Sequence, residues 1–242
     1  MEVRNDDFWI NGVSARSVGI TTVNPLNPPP MAARRYSDYQ IGSDTDLIEP
    51  DTGFDDITYP ITCRVIGKPE SLDNAALYAY LAGAQTLRLS RLRGYEFRIN
   101  KIAGIVPSMR AKGNEIIYNI TFSLAPWKYV AYEPVIALTS AANVQNAGTR
   151  YCKPKYTLHL SSLTGTGTFT VNGQQVAISI PESMASNVLV VDSENQIAYD
   201  GNNVIRTQYT SGIYPFMNIG NNYTTFGGII SSIDVQRHQR CY

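Results

Sequence analysis

The chain has 242 residues, of which 43% are hydrophobic and 17% are charged, so it can bury a substantial core and is neither disordered nor fibrous. Its 20 basic and 20 acidic residues give a formal net charge of zero, which argues against a dedicated binder of nucleic acid or of anionic membranes. A net charge near zero leaves little repulsion between copies, and self-association is therefore an early hypothesis.

The N-terminal segment carries acidic residues at Glu2, Asp6 and Asp7, where a secretory signal peptide has positive charge followed by an apolar run. We therefore expect no export by that route. No window of the sequence approaches 18 uninterrupted apolar residues, so we expect no membrane partner.

Residue types that carry catalysis or bind metals are sparse. Cys63, Cys152 and Cys241 are odd in number and far apart, which predicts reduced, mostly buried thiols rather than a disulfide framework or a zinc site. The only histidines are His159 and His238, and no nucleophile, phosphate-loop or metalloprotease motif is present. The acidic loop 44–56 lacks the glycine and glutamate of an EF-hand. We predict no catalytic residue, no cofactor and no metal, with an enzyme kept as a distant alternative.

The elements of the first half are predicted in chain order from periodicity. Residues 24–30 contain four prolines and indicate an extended arm. Alternating apolar and β-branched residues predict strands at 57–66, 95–99 and 116–124. Apolar residues spaced three and four apart predict one helix over 72–80, with Ser71 as its N-cap, Asp73 near its positive end and Gly83 after its last turn.

The second half indicates a sandwich of antiparallel sheets. A strand is predicted at 156–160, and the Asn172–Gly173 turn joins strands at 168–171 and 175–178, because this dipeptide adopts the two positive φ values of a type I′ turn. A second hairpin is predicted across 192–199. The fold class is therefore mainly β, with one helix.

The charges indicate two domains. Residues 1–132 hold 28 of the 40 charged residues, whereas residues 133–242 hold 12. Pro134 follows an apolar run and keeps the preceding residue extended, which is typical of a linker at 131–134. We predict a first domain over 1–132 and a second over 133–242.

The first domain contains two segregated charge blocks. Residues 38–56 hold seven acids and no base, and residues 88–112 hold seven bases against Glu96 alone. The acidic block opposes contact of the basic block with a phosphate backbone, but blocks on opposite sides of a domain favour head-to-tail association, which closes into a ring when the rotation allows. On charge alone, two solvated surfaces without a partner have equal weight. The candidate contact residues are Arg88, Arg91, Arg93, Arg98, Asp44, Asp46, Asp51, Asp55 and Asp56.

Several motifs follow one another in a specific order. The first half contains the sequence Phe-Trp-Ile-Asn-Gly at 8–12 and ends its last apolar strand in Pro126–Trp127. The second half contains Asn-Ala-Gly-Thr at 146–149, Val-Val-Asp-Ser-Glu at 190–194 and Gly-Ile-Tyr-Pro-Phe at 212–216. Together they resemble the distal tail protein (Dit) family of long-tailed phages and prophages of Gram-positive bacteria.

The resemblance implies a structural virion protein with an N-terminal β-sandwich-like, ring-forming domain and a C-terminal galectin-like β-sandwich. Members of that family form a hexameric ring at the distal end of the tail. The ring joins the tail tube to a tail-tip or tail-associated lysin-like protein of the baseplate and leaves a channel for DNA. Some relatives attach receptor-binding proteins through long insertions, for which residues 133–242 have no room.

A galectin-like domain also suggests a carbohydrate-binding module that contacts the host cell surface, which is the alternative function. Galectins stack a sugar on a tryptophan, whereas both tryptophans here, Trp9 and Trp127, lie in the first half. The second half contains tyrosines that can stack on a sugar, but stacking needs polar partners whose positions a sequence does not give.

Overall fold

The structure is a computed structural model that describes residues 7–39, 47–66, 75–110 and 115–241. The chain divides into two compact units, Met1–Ala131 and Tyr132–Tyr242. Each unit has its own buried apolar cluster, as expected of a separate domain.

The first unit is built from nine strands of the described residues, one α-helix and one short 3-10 helix. The strands are β1 Phe8–Ile10, β2 Val13–Ser14, β3 Ile20–Thr22, β4 Arg34–Tyr39, β5 Leu47–Phe54, β6 Ile57–Ile66, β7 Thr86–Leu89, β8 Tyr95–Arg110 and β9 Glu115–Val130. The helices are the 3-10 turn Arg16–Val18 and α1 Ala75–Leu81.

One large antiparallel sheet dominates this unit, with strand order β2-β1-β7-β8-β9-β6-β3, while β4 and β5 form a separate two-stranded ribbon. Every second side chain points to the same face of a strand, so alternate residues line one core. The central members of that core are the fully buried Phe8, Ile61, Leu87, Ile120 and Phe122.

Helix α1 packs against this core through Leu77 and Leu81, which are buried one turn apart. Tyr80 fixes the helix to β1, because its ring meets Phe8 edge to face and its hydroxyl accepts a hydrogen bond from Ile10 N. The predicted helix is confirmed over its described part. Ser71 and Asp73, the predicted N-cap and acidic residue, lie outside the described residues.

Strand β9 changes the face to which its apolar residues point. The register pairs Phe97 with Lys128 but Ile99 with Leu124, so β9 contains extra residues at this point, as in a β-bulge. Residues before the irregularity point into the main core. Trp127 and Tyr129 after it are buried on the opposite face, where Phe54 packs against them.

The second unit is a sandwich of two five-stranded antiparallel sheets with strand orders β10-β19-β12-β15-β16 and β11-β18-β13-β14-β17. Its strands are β10 Ile136–Leu138, β11 Ala142–Asn146, β12 Lys155–Leu160, β13 Gly165–Val171, β14 Gln174–Ile180, β15 Val188–Asp192, β16 Ile197–Asp200, β17 Thr210–Gly212, β18 Gly220–Gly228, β19 Ile230–Gln236 and β20 Arg240–Cys241.

The two sheets share one core because each contributes its inward residues to a single apolar cluster. Tyr156 of β12 lies against Phe169 of β13 with their ring centres 5.0 Å apart. The predicted turn at Asn172–Gly173 is confirmed, with φ of 49° and 83°. The second predicted hairpin is confirmed as β15 and β16.

The mainly β fold class is confirmed. The strand predicted at 57–66 is β6, the strands predicted at 95–99 and 116–124 are parts of the longer β8 and β9, and residues 24–30 adopt no regular element. The described part of the chain contains no helix with the length and apolar character needed to cross a membrane.

Candidate assembly surface

Two arginines of the basic block lie on the tight turn between β7 and β8. Arg91 and Arg93 both lie on this turn and are exposed. Leu92 N donates to Leu89 O at 3.0 Å and Tyr95 N to Leu92 O at 3.1 Å, so the backbone of the turn is hydrogen-bonded to itself. Within the described residues, neither arginine forms an ion pair, and the turn therefore presents two solvated cations on an ordered backbone.

Arg88 and Arg98, the other two basic candidates, stack on aromatic rings of the same unit. The guanidinium carbon of Arg88 lies 5.7 Å from the ring centre of Trp9, and that of Arg98 lies 4.2 Å from the ring centre of Tyr129. Both distances are within the range of a cation–π interaction. These two arginines thus contribute to the surface of their own sheet, in contrast to Arg91 and Arg93.

Glu96 lies between Arg88 and Arg98 in the sequence, and its carboxyl group is affected by the positive charges of both. Burial raises the pKa of its carboxyl group above the ordinary 4.5, while the positive charges of Arg88 and Arg98 oppose that rise. Glu96 is paired with Tyr129 in the register of β8 and β9. The carboxylate therefore belongs to the same outward face as the two cation–π contacts.

An aromatic cluster lies on this same face of the sheet. Trp127 and Tyr129 are 9% and 5% exposed, and the Phe54 ring meets Trp127 edge to face with ring centres 4.6 Å apart. Phe54 ends β5 and directly precedes two of the acidic candidates, Asp55 and Asp56. The end of the acidic segment is therefore anchored on the face that carries Arg98.

The acidic candidates differ in how they are held. Asp56 accepts hydrogen bonds from Ser123 Oγ at 2.8 Å and Asn100 Nδ2 at 2.9 Å, so its carboxylate is used within the unit. Asp55 is exposed, with its Oδ1 4.0 Å from Arg35 Nε. Asp51 lies in β5, and the remaining acidic candidates lie outside the described residues: Asp44 and Asp46.

The groups most capable of nucleophilic chemistry are inaccessible. Cys63, Cys152 and Cys241 are free and buried, and burial raises the pKa of the Cys63 and Cys152 thiols to about 12. The prediction that these thiols are buried is confirmed. His159 lies half-exposed on β12, with Nε2 2.9 Å from Asp234 Oδ2. The described residues contain no group of three or more His, Cys, Asp or Glu side chains that could hold a metal ion.

Sequence reasoning missed the aromatic partners of the basic block. It grouped four arginines by charge, whereas Trp9 and Tyr129 divide them into two stacked and two solvated residues. A signal was available, because tryptophan and tyrosine alternate at Trp127 and Tyr129 as on one face of a strand.

No protein-family model matches the chain, and no curated protein matches it. Among solved structures, the chain is similar to the crystal structure of the SPP1 Dit (gp 19.1) protein, described as a paradigm of the hub adsorption apparatus in phages that infect Gram-positive bacteria. The TM-score is 0.65 at 12% sequence identity, over 95% of this chain and 97% of that chain. The resemblance to distal tail proteins is thereby confirmed at the level of the fold.

Proposed function

We propose that this chain is a structural protein of a phage tail that forms a hexameric adaptor ring at the distal end of the tail. The observation that carries the proposal is the likeness to SPP1 Dit over 95% of this chain and 97% of that one, which includes both units. Because the likeness covers both units, neither unit is an added domain that the SPP1 protein lacks. Fold alone does not imply function, so the proposal also depends on the surface chemistry of the chain and on a measurement of its assembly.

In this proposal residues 1–132 form the ring and residues 133–242 form a galectin-like β-sandwich. The first unit holds 28 of the 40 charged residues, which suits a surface that must select one register among copies. The ring joins the tail tube to a tail-tip or lysin-like baseplate protein and surrounds a channel through which DNA passes. The protein is made in the host cytoplasm and resides in the virion at the tail tip.

The solvated cations of the β7–β8 turn support a role in selecting the register between subunits. Arg91 and Arg93 are exposed and form no ion pair within the described residues, so they are available to a neighbouring copy. Asp55 is the acidic candidate with the most accessible carboxylate among those whose side chains are described. Exposed pairs contribute only about 0 to 1 kcal/mol each, so charge sets orientation more than affinity.

Apolar surface must then supply most of the association free energy. The first unit exposes the large apolar side chains of Met31, Tyr78 and Val106, which are 72%, 52% and 59% exposed. Burial of such side chains between copies contributes about 25 cal/mol for each Å² of apolar surface removed from water.

The test is the solution mass of the purified chain, measured by light scattering after size exclusion at low and high salt. Six copies of the 26.7 kDa chain weigh 6 × 26.7 = 160.2 kDa. We expect that mass at low salt and partial dissociation at high salt, because salt screens exposed ion pairs. Negative-stain images of the same fractions should show six-fold rings.

Charge-reversal variants show whether the salt dependence of the mass comes from the charged turn or from the surface charge of the chain in general. The double reversal Arg91→Glu and Arg93→Glu should shift the mass towards the monomer, whereas reversal of the exposed Arg16 in the same unit should not. A hexamer that survives the double reversal would remove these arginines from the interface and leave the ring intact. A monomer at every salt and protein concentration, together with no label at the tail tip in immunogold images of virions, would overturn the proposed function itself.

A further inference from the structure

Two hairpin turns of the chain share the sequence Asn-Gly and the same backbone conformation. Asn11–Gly12 joins β1 to β2 in the first unit, and Asn172–Gly173 joins β13 to β14 in the second. The φ values are 49° and 82° in the first turn and 49° and 83° in the second. Both are therefore two-residue turns of type I′, and all four residues are exposed.

An Asn-Gly sequence is prone to deamidation. The backbone nitrogen of the glycine attacks the side-chain carbonyl carbon of the asparagine, so a new C–N bond forms, the amide C–N bond breaks, and ammonia leaves with the proton of the glycine N–H. Water then opens the cyclic imide and leaves aspartate or isoaspartate. Glycine favours the attack because it has no Cβ to shield its nitrogen. Water is the only co-reactant, and it reaches both exposed turns.

In the first unit, hydrogen bonds hold both ends of the asparagine amide. Asn11 Nδ2 donates to Gly83 O at 2.9 Å, and Asn11 Oδ1 accepts from Gln85 N at 2.9 Å and from Thr86 N at 3.1 Å. Asn11 N also donates to Thr86 O at 3.1 Å. The side chain thus ties the hairpin turn to the segment between α1 and β7, and it is fixed in spite of its exposure.

The second unit repeats this arrangement with different partners. Asn172 Nδ2 donates to Asn222 Oδ1 at 2.8 Å, and Asn172 Oδ1 accepts from Tyr223 N at 2.8 Å. Asn172 N donates to Tyr223 O at 3.0 Å. Here the side chain ties the turn to β18. In both units the amide uses its donor and its acceptor at once.

The same hydrogen bonds exclude the product of deamidation. Aspartate would place a carboxylate oxygen against Gly83 O in the first unit or against Asn222 Oδ1 in the second, where a donor is needed. The amide nitrogen of Asn222 cannot replace that donor, because it is directed at Asn218 O and Gly220 O. The closed turn therefore fits asparagine and not its product.

We propose that Asn11 and Asn172 are deamidation sites that the fold holds closed through these side-chain hydrogen bonds, and that each converts only when its turn opens. To react, the side-chain carbonyl carbon must turn towards the glycine nitrogen, and this movement breaks the bonds at both ends of the amide. The rate at each site is then the rate of the free sequence multiplied by the fraction of time that the turn is open. The proposal does not depend on the hexameric ring.

The chain offers a matched position without such hydrogen bonds. Asn202 is exposed, and within the described residues its side chain forms no hydrogen bond, although its backbone N donates to Asp200 Oδ1 at 2.9 Å. The next residue, Asn203, has a φ of 62°, which glycine adopts without strain. Asn203→Gly therefore creates a third exposed Asn-Gly pair in a loop of unchanged backbone conformation.

The test incubates the purified full chain carrying Asn203→Gly at pH 8, once folded and once in concentrated urea. Mass spectrometry of its peptides gives the fraction of aspartate and isoaspartate at each site over time. In urea we expect similar rates at Asn11, Asn172 and Asn202. In the folded chain Asn202 should stay within about threefold of its rate in urea, whereas Asn11 and Asn172 should react about tenfold or more slowly.

Three results would overturn the proposal. Equal rates at all three sites of the folded chain would show that the hydrogen bonds give no protection. Slow conversion of Asn202 in the folded chain would assign protection to exposed turns in general, and slow conversion of Asn11 and Asn172 in urea would show that they are not deamidation sites. The rates are measured at a low and a high protein concentration, and protection confined to assembled chains would assign it to contacts between copies, which also contradicts the proposal.

Discussion

The guanidinium carbon of Arg98 on β8 lies 4.2 Å from the centre of the Tyr129 ring on the neighbouring β9. Tyr129 lies on that side of the sheet as the cross-strand partner of Glu96, whose side chain points to the same face as that of Arg98. Arg98, which the sequence predicts as an inter-subunit contact, therefore makes a contact between two strands of its own sheet. Its removal should affect folding before it affects assembly.

Substitution of Arg98 by alanine should destabilise the first unit. The change removes a cation–π contact with a ring that is 5% exposed, and such contacts contribute about 0.5 to 2 kcal/mol. We expect the free energy of unfolding, measured by urea denaturation of the full chain, to fall by about 1 kcal/mol. The transition to be followed is that of the first unit, reported by fluorescence of its tryptophans, Trp9 and Trp127.

The matched control is Arg16→Ala, which removes the same charge from an exposed position of the same unit that lies outside the proposed interface. It should leave the free energy of unfolding within about 0.5 kcal/mol of the unaltered chain. Equal destabilisation by both changes would mean that the effect comes from net charge and not from stacking on Tyr129.

The stability of the first unit should depend on pH through Glu96. Burial raises the pKa of this carboxyl group in the folded state above the ordinary 4.5, so the folded chain retains the proton more tightly than the unfolded chain. Stability from this group is fully present below the ordinary pKa and is lost as pH rises through the raised pKa. Glu96→Gln removes the titration, so the variant should gain stability relative to the unaltered chain between pH 4 and pH 7.

The measurement is urea denaturation of both chains at several pH values across that window. Glu182→Gln, the same change at an exposed position in the second unit, provides the control for the chemical substitution itself. A difference between Glu96→Gln and the unaltered chain that shrinks as pH rises would have the opposite sign and would show that attraction to Arg88 and Arg98 outweighs burial.

The native thiols should be unreactive towards a disulfide reagent at pH 8. Burial raises the pKa of Cys63 and Cys152 to about 12, and at pH 8 this leaves about two-thousandfold less thiolate than an ordinary thiol of pKa about 8.5. Unfolding should release all three thiols of the chain. Thr139→Cys adds a thiol at an exposed position and should react at once in the folded protein, and similarly fast labelling of the unaltered chain would contradict the buried assignment.

Much of the fold follows from local pattern. Strict alternation over 57–66 predicts β6 with its observed bounds, and Asn172–Gly173 predicts a hairpin because its φ values are intrinsic to those two residues. The register shift between β8 and β9 does not follow, since it depends on the partner strand and not on β9 alone. The move of apolar residues to the opposite face does have a local sign, because Leu124 at an even position is followed by Trp127 and Tyr129 at odd positions.

The candidate site was less predictable than the fold. Segregation of charge is visible in the sequence, but whether an arginine is solvated depends on what the neighbouring strand places beneath it. Arg88 stacks on Trp9, a residue 79 positions earlier in the chain, through the pairing of β1 with β7.

Asn172 should be a stability determinant of the second unit. Its φ of 49° lies in the left-handed region, and its side chain accepts from Tyr223 N and donates to Asn222 Oδ1, both at 2.8 Å. Asn172→Ala removes both hydrogen bonds and puts a less suitable residue at positive φ, so the free energy of unfolding of the second unit should fall by about 2 kcal/mol. Asn172→Gly keeps the backbone conformation and loses only the hydrogen bonds, and a loss of about 1 kcal/mol is expected.

Urea denaturation followed by tyrosine fluorescence measures both variants, with Asn202→Ala, an exposed asparagine of another loop, as the control. If Asn172→Gly were as stable as the unaltered chain, the side-chain hydrogen bonds would carry no net stability and the turn would owe its preference for asparagine to φ alone.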